Sequence, residues 1–176
     1  DDYDRAAPQG VGNVKVAGNY AAGMEPHMVS HDKGFAVELF LDAKEHKYVD
    51  EFSTSNFIGI TADNRYVTPD SSSVLPSIIN DTLQTLAADN GMTVEKRPVP
   101  YEELSTFAEI GACGTAVVLT PVSEIVRGDD VIRVGPDDGC GPVLQKLYEQ
   151  VKAIQYGEIA DPYGWNIKIA PAVVSA

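Results

Sequence analysis

The spacing of apolar residues predicts two amphipathic helices. In residues 77–90, apolar side chains recur at the three- and four-residue intervals that place them on one helical face, and Gly91 supplies a stop. Residues 142–156 show the same spacing, with Pro142 suited to the first turn, and the pattern ends near Gly157. The predicted apolar faces comprise Ile78, Ile79, Leu83, Leu86 and Ala87 in the first helix and Val143, Leu144, Leu147, Val151 and Ile154 in the second.

Short apolar runs separated by turn residues predict strands. The runs are 35–42, 48–51, a strand that opens at Asn56, 65–68, 93–97, both sides of a break at 114–116, and 131–134. The first two runs flank a polar turn and predict a hairpin. A helix over 21–33, with Pro26 in its first turn or at a kink, and a short helix opening at Pro100 complete the pattern. Because strands outnumber helices and connections are short, we expect one α/β (α+β) domain over residues 1–176, with a curled, mostly antiparallel sheet, a pseudo-barrel, around the helices.

Composition and charge limit the kinds of partner. The 176 residues carry 13 Lys and Arg against 26 Asp and Glu, a formal net charge of -13, and contain no run of basic residues. We therefore expect no nucleic-acid partner. No apolar run approaches the roughly 20 residues that a membrane helix needs, and the start resembles neither a signal nor a transit peptide, so we expect a cytoplasmic protein with no membrane partner. The two cysteines, Cys113 and Cys140, form no CxxC motif and indicate neither a disulfide framework nor a metal site.

A stretch punctuated by glycines, from Gly10 to Tyr20, carries the first candidate chemistry. Lys15 stands between Val14 and Val16 within this stretch, so we expect an apolar, tightly turned setting that lowers the pKa of its amine. A neutral lysine amine forms an imine with a carbonyl group, including the aldehyde of pyridoxal phosphate. A lysine that extends from a loop into solvent is the commoner arrangement, so the assignment depends on the stretches that follow.

Later stretches supply polar groups that suit such a cofactor. Glu51 ends a predicted strand, where it is either a solvated glutamate or a buried carboxylate that holds a protonated pyridine nitrogen. Asn56 is interpreted as bridging backbone groups of the intervening loop. The N–H groups of Ile78 and Ile79 open a helix that is either an ordinary capped helix or a phosphate site. The turn Gly114-Thr115-Ala116 either connects two strands or offers N–H groups and a hydroxyl to a phosphate or carboxylate oxygen.

Taken together, these stretches resemble the C-terminal domain of branched-chain aminotransferases, within the fold-type IV pyridoxal-phosphate family. The resemblance covers residues 10–165. It rests on four motifs, which are Lys15-Val16-Ala17-Gly18-Asn19-Tyr20, Glu51 to Phe57, Leu75-Pro76-Ser77 and Gly114-Thr115-Ala116. Ala17 and Ser77 replace glycines that are usual in the family. The end of the chain, Ile154-Gln155-Tyr156-Gly157 with Trp165, resembles L-branched-chain enzymes more than D-amino-acid transaminases or aminodeoxychorismate lyases.

The resemblance implies a role for each candidate residue. Lys15 would carry the Schiff base to pyridoxal 5'-phosphate, Glu51 would hold the pyridine nitrogen, and Tyr20 would hydrogen-bond the phenolic oxygen. The phosphate would be bound by Ile78, Ile79 and Thr115, and the substrate carboxylate by the turn of Thr115 and Ala116. The implied reaction transfers an amino group between leucine, isoleucine or valine and 2-oxoglutarate, in a full-length enzyme that is a homodimer.

The resemblance also implies a missing part and leaves alternatives open. The smaller N-terminal domain of the family, with an arginine that binds the cofactor phosphate, is not in this sequence. We therefore expect the chain to be one domain of a longer aminotransferase and to be inactive alone. D-amino-acid transamination or aminodeoxychorismate lyase chemistry is the alternative among enzymes. A non-catalytic cofactor-binding or structural domain is the alternative outside them.

Overall fold

The computed structural model describes residues 3–136 and 139–169, which alternate short strands with a few helices. The helices in these ranges are α1 (Ala17–Ala22), α2 (Met24–Asp32), α3 (Ile78–Asp89) and α4 (Pro142–Tyr156), with a 3₁₀ helix at Tyr101–Thr106. The strands are β1 (Leu39–Leu41), β2 (Val49–Phe52), β3 (Asn56–Thr61), β4 (Arg65–Pro69), β5 (Thr93–Arg97), β6 (Phe107–Gly114), β7 (Val118–Val122), β8 (Glu124–Arg127) and β9 (Asp130–Arg133). None of the helices in the described ranges is long and apolar enough to span a membrane.

Strand β3 is the centre of a seven-stranded sheet. It pairs with β6 from Asn56, opposite Cys113, to Thr61, opposite Phe107. Its other edge is shared, because β2 pairs with it at Asn56 and β4 pairs with it at Gly59 and Ile60. The pair β4 and β5 is parallel, since α3 provides the crossover that a parallel pair needs, and the other described pairs are antiparallel. The predicted mostly antiparallel sheet is confirmed.

A hydrophobic cluster lies on each face of this sheet. Alternate residues of β3 point to opposite faces, so Ile58 and Ile60 belong to one cluster and Phe57 belongs to the other. Helices α3 and α4 cover the first face with residues that include Leu83 and Leu144. The separate hairpin of β8 and β9 adds Ile125 and Ile132 to the second cluster. β3 is thus covered on both faces, in agreement with its almost continuous apolar sequence.

Most predicted elements are confirmed, and the differences have local causes. The hairpin of β1 and β2 and the helices α3 and α4 lie where they were expected. The helix predicted over 21–33 is divided at Gly23, a poor helix former, and Pro26 lies in the first turn of α2. Strand β8 was not predicted, because Ile125 and Val126 form too short an apolar run to indicate a strand, and it is formed by pairing with β9. The prediction that Ile78 lies on the buried face is wrong, since it is the first residue of α3 and is 83% exposed.

The N-terminus of α4 is capped by a carboxylate from a neighbouring strand. Glu109 of β6 accepts hydrogen bonds from the N–H groups of Val143, at 3.0 Å, and Leu144, at 2.8 Å, and is only 6% exposed. A Cβ atom at Gly141 would lie 2.1 Å from the Glu109 carboxyl carbon, so the close approach requires glycine. The negative charge also faces the positive end of the helix dipole. Glu109 therefore joins the sheet to α4.

Replacing Glu109 should destabilise the domain. In Glu109→Gln the carboxylate becomes a neutral amide, which keeps the shape and loses the charge-assisted bonds to two N–H groups. We expect the free energy of unfolding in urea to fall by about 1–3 kcal/mol. Glu102→Gln changes the same atoms at an exposed position and is the control. Equal stability of the two variants would contradict the capping role.

Candidate active site

Glu51 lies in β2 within a buried cluster of hydrogen-bond donors. Its Oε1 is 2.9 Å from Arg5 Nη1, and the two side chains are only 8% and 7% exposed. Its Oε2 accepts hydrogen bonds from Asn56 Nδ2, at 2.9 Å, and from the N–H of Leu75, at 3.2 Å. Because each carboxylate oxygen has two lone pairs, Oε2 is fully used. Within the described residues, Oε1 keeps one acceptor position.

Burial controls the charge of this cluster. Removal from water raises the pKa of Glu51 to about 7, and the positive charge of Arg5 and the Leu75 N–H offset part of that rise. Burial also raises the pKa of the adjacent Asp50, while a hydrogen bond from Ser71 and the charge of Arg5 lower it. The cluster thus places two buried carboxyl groups beside one guanidinium. A second cation next to Oε1 would be electrostatically favoured.

Cross-strand register brings the turn after β6 to the same end of the sheet. Glu51 is opposite Asn56, and Asn56 is opposite Cys113. Neighbouring strands are about 4.8 Å apart, so the backbones of Glu51 and Cys113 are about 10 Å apart. β6 ends one residue after Cys113, and Thr115 and Ala116 follow in an exposed turn. Both residues of this turn are exposed, and the turn begins at the end of the sheet where Glu51 lies.

The turn leads into a strained residue. Val118 has a φ of 66°, in the left-handed region that β-branched residues rarely adopt. The Leu119 N–H donates to the Val117 carbonyl at 2.8 Å, which is the hydrogen bond of a γ-turn. Val118 is 4% exposed and packs in the core. Such a conformation costs about 1–3 kcal/mol and persists only where the surroundings determine it, so core packing fixes the end of the turn.

The N-terminus of α3 presents two N–H groups with no acceptor among the described residues. Ser77 precedes the helix, and its Oγ accepts a hydrogen bond from the Asn80 N–H at 3.1 Å. The Ser77 carbonyl accepts the next N–H, from Asp81, at 3.0 Å. The N–H groups of Ile78 and Ile79 come earlier in the first turn, where helices have no internal acceptor. They lie at the positive end of the helix dipole, which favours a phosphate group.

This helix end is tied to Glu51 through Leu75. The Leu75 N–H donates to Glu51, and the Leu75 carbonyl accepts a hydrogen bond from Asn56 Nδ2 at 2.8 Å. The prediction that Asn56 bridges the loop between β2 and β3 is wrong, because its amide reaches instead to the loop after β4. Asn56 thereby fixes the segment that enters α3 against the end of β2.

Lys15 and Tyr20 lie in a different setting from Glu51. Lys15 is exposed in the turns before α1, and Tyr20, within α1, is 47% exposed. Asn19 Nδ2 closes this loop by donating to the carbonyls of Val11 and Val14, both at 2.9 Å. The prediction of an apolar setting for Lys15 is wrong within the described residues, because the neighbouring Val14 is itself 47% exposed.

Arg5 connects the lysine loop to the buried cluster. Its Nη2 donates to the carbonyl of Gly12, at 3.3 Å, and to the carbonyl of Ser73. A Cβ atom at Gly12 would lie 2.4 Å from the Ser73 carbonyl oxygen, so this contact requires glycine. Sequence reasoning missed Arg5, because an arginine next to acidic Asp4 is typical of a surface ion pair. Gly12 was the only residue near Arg5 in the sequence that could have indicated this close backbone contact.

These observations accord with one family. The amino-transferase class IV family matches residues 2–125 of the chain. The chain belongs to this family. The family expected from the sequence motifs is thus confirmed.

This class IV aminotransferase chain resembles enzymes named for branched-chain amino acids. It is 42% identical over 174 residues to a branched-chain-amino-acid aminotransferase of Haemophilus influenzae, covering 96% of this chain and 51% of that protein. The crystal structure of the Escherichia coli branched-chain amino acid aminotransferase matches with a TM-score of 0.81 at 30% identity, over 94% of this chain and 52% of that one. The branched-chain amino acid aminotransferase from Thermobaculum terrenum, in its PLP-bound holo form, matches with a TM-score of 0.78 at 26% identity, over 90% and 50% of the two chains. The chain spans about half the length of these proteins, and their fold confirms the predicted fold type.

Because the pKa of Glu51 is raised, the stability of the folded domain should depend on pH. The folded pKa of Glu51, about 7, exceeds the ordinary 4.5, so the folded state binds the proton more tightly. This tighter binding stabilises the folded state fully at pH values below 4.5, the ordinary pKa. The stabilisation is lost as the pH rises through about 7, the pKa of Glu51 in the folded state. We expect the free energy of unfolding, relative to Glu51→Gln, to fall by up to about 3 kcal/mol between about pH 4 and pH 8.

Urea unfolding of both proteins across this pH range measures the difference. The exposed Glu158→Gln, measured in the same way, is the control for the loss of one carboxyl group. A difference for Glu51→Gln that changes with pH no more than that of the control would contradict the burial argument.

Proposed function

We propose that this chain is the cofactor-binding domain of an enzyme that transfers the amino group of leucine, isoleucine or valine to 2-oxoglutarate with pyridoxal 5'-phosphate. The observation that carries the proposal is the buried Glu51 carboxylate, with a free acceptor position on Oε1 in a cluster that favours a second cation. A protonated pyridine nitrogen is such a cation. The names of the relatives support the branched-chain substrates.

The residues present fit the cofactor at several points. Glu51 would accept a hydrogen bond from the ring nitrogen. The phosphate would be held by the Ile78 and Ile79 N–H groups and by Thr115. Lys15 would bond covalently to the aldehyde carbon, and Tyr20 would donate to the phenolic oxygen. When bound, the cofactor supplies a ring that accepts electrons from the substrate α-carbon.

Each residue then has a distinct task in transamination. The negative charge of Glu51 would favour the protonated form of a bound ring nitrogen. The Lys15 amine would be the general base that takes the proton from the substrate α-carbon and the general acid that gives it up again. Backbone N–H groups of the Thr115 and Ala116 turn hold the substrate carboxylate and orient the α-carbon.

The exposure of these groups supports a second domain outside this sequence. Lys15, Tyr20, Thr115 and Ala116 are all exposed, whereas a transaminase must keep water from the reacting atoms. Two N–H groups and a hydroxyl also leave much of a phosphate dianion unpaired. We infer that the full-length protein adds a smaller domain with a cationic phosphate ligand. We also infer from the family that the enzyme is a cytoplasmic homodimer.

The covalent attachment can be located directly. Full-length enzyme incubated with pyridoxal phosphate and reduced with borohydride should carry the cofactor on Lys15 in peptide maps. Lys15→Ala should lose this label and slow L-leucine transamination by more than about a hundredfold, because the general base is removed. The exposed Lys33→Ala is the control.

Cofactor found on Lys33 or Lys47 would contradict the assignment of Lys15. D-leucine tested beside L-leucine decides between the proposed substrates and a D-amino-acid transaminase. Faster turnover of the D-isomer would contradict the proposed substrate class.

The 176-residue chain by itself should fold and transaminate poorly. Folding is expected because both faces of its sheet are covered by its own residues. Weak cofactor binding is expected because each missing charge-assisted hydrogen bond to phosphate lowers affinity by about tenfold to a hundredfold.

Urea unfolding and a spectral titration with pyridoxal phosphate test the two parts separately. The matched control is the full-length enzyme under the same conditions. Comparable L-leucine turnover by the two proteins would contradict the need for a second domain.

A further inference from the structure

We propose that Arg5 is a positioning residue for Glu51, which fixes the carboxylate toward the cofactor ring and joins it to the loop that carries Lys15. The proposal rests on the proposed function and adds a residue to the same site. Arg5 lies ten positions before Lys15, in a part of the chain with no other assigned role.

The guanidinium of Arg5 is buried and binds three acceptors. Its side chain is 7% exposed, so its charge depends on protein partners. Nη1 is 2.9 Å from Glu51 Oε1, while Nη2 donates to the carbonyls of Gly12 and Ser73. The guanidinium is planar and rigid, so these three acceptors are held in a fixed arrangement. Three segments that are distant in sequence therefore share one cation.

The Glu51 carboxylate is held in one orientation by donors to both of its oxygens. Asn56 and Leu75 hold Oε2, and Arg5 holds Oε1, so the group cannot rotate without breaking a hydrogen bond. The remaining lone pair of Oε1 then points in a fixed direction, in which it can accept one further hydrogen bond. Without Arg5, Oε1 would have no fixed partner among the described residues. Burial would also favour the protonated acid, since the charge of Arg5 is the main influence that lowers the pKa of Glu51.

Arg5 is also connected to the loop that carries Lys15. Gly12 lies three residues before Lys15, and its backbone approaches Ser73 too closely for any side chain. Asn19, which follows Lys15, donates to the carbonyls of Val11 and Val14, which precede Lys15, and so closes the loop around the lysine. Arg5 and Asn19 thus both restrain the part of the loop that precedes Lys15. A change at Arg5 would move the lysine loop relative to Glu51.

The test compares Arg5→Gln, Arg5→Lys, Glu51→Gln and the double variant Arg5→Gln/Glu51→Gln in the full-length enzyme. Arg65→Gln is the control, because this half-exposed arginine pairs with Asp63 and Glu95 at the end of β4 away from Glu51. Three quantities are measured, which are the carbon-13 NMR titration of the Glu51 carboxyl without cofactor, the kcat and KM for L-leucine, and the thermal midpoint.

We expect Arg5→Gln to lower kcat by about tenfold to a hundredfold and to change KM by less than about threefold. The Glu51 titration should move to higher pH. The double variant should be no slower than the slower single variant, because both changes act through one group. Arg5→Lys keeps the charge without the planar fork, so it should restore the Glu51 titration and only part of kcat. Arg65→Gln should leave all of these quantities at the wild-type values.

Several results would overturn the proposal. One is a Glu51 titration that Arg5→Gln leaves unchanged. Another is multiplication of the two single losses in the double variant, which would mean that Arg5 acts independently of Glu51. If Arg5→Gln does not fold, Arg5→Lys decides, and wild-type kcat in that variant overturns the role.

The proposed function can fail separately from the role of Arg5. Failure of the wild-type enzyme to take up pyridoxal phosphate or to convert L-leucine would refute the proposed function alone. The Glu51 titration is measured without cofactor and decides the link to Arg5 in that case.

Discussion

The burial of one carboxylate organises this domain. A charged group removed from water is tolerated only where donors replace its hydration, and Glu51 obtains them from three separate parts of the chain. Arg5 comes from the segment before the lysine loop, Asn56 from the central strand, and Leu75 from the loop that enters α3. Each donor residue also belongs to a strand or takes part in a further hydrogen bond that involves a backbone carbonyl. The hydrogen bonds to Glu51 therefore also fix the positions of the segments around it.

The geometry of the proposed cofactor site follows from these bonds. The register of β2, β3 and β6 carries the position of Glu51 across to the Thr115 turn. The bonds of Leu75 place the start of α3, and with it the free N–H groups of Ile78 and Ile79. Among the described residues, no hydrogen bond or ion pair joins these groups directly. Under the proposed function, the sheet register and the buried charge would bring them to one site.

The parts of the structure that sequence could predict are those with local causes. Periodic apolar residues are sufficient for α3 and α4, because helical spacing is visible within one segment. Glu51 and Thr115 were chosen from motifs of contiguous residues. Arg5 and Glu109 were missed because their partners lie far along the chain and are brought near only by the sheet. The exposure of Lys15 was also mispredicted, since the composition of a loop does not fix the directions of its side chains.

The division between buried and exposed groups bears on specificity. Glu51, which would contact the invariant ring of the cofactor, is enclosed by the domain's own residues. Lys15, Tyr20 and the Thr115 turn, which would contact the reacting part of the cofactor or the substrate, are exposed. A preorganised carboxylate needs a rigid environment from which water is excluded. The residues of this chain provide that environment for Glu51 without a second domain. An apolar pocket for a branched side chain needs walls on several sides. Under the proposed function, the choice of amino acid would therefore depend on the residues that close the open side, while the electronic role of Glu51 would stay the same for any substrate.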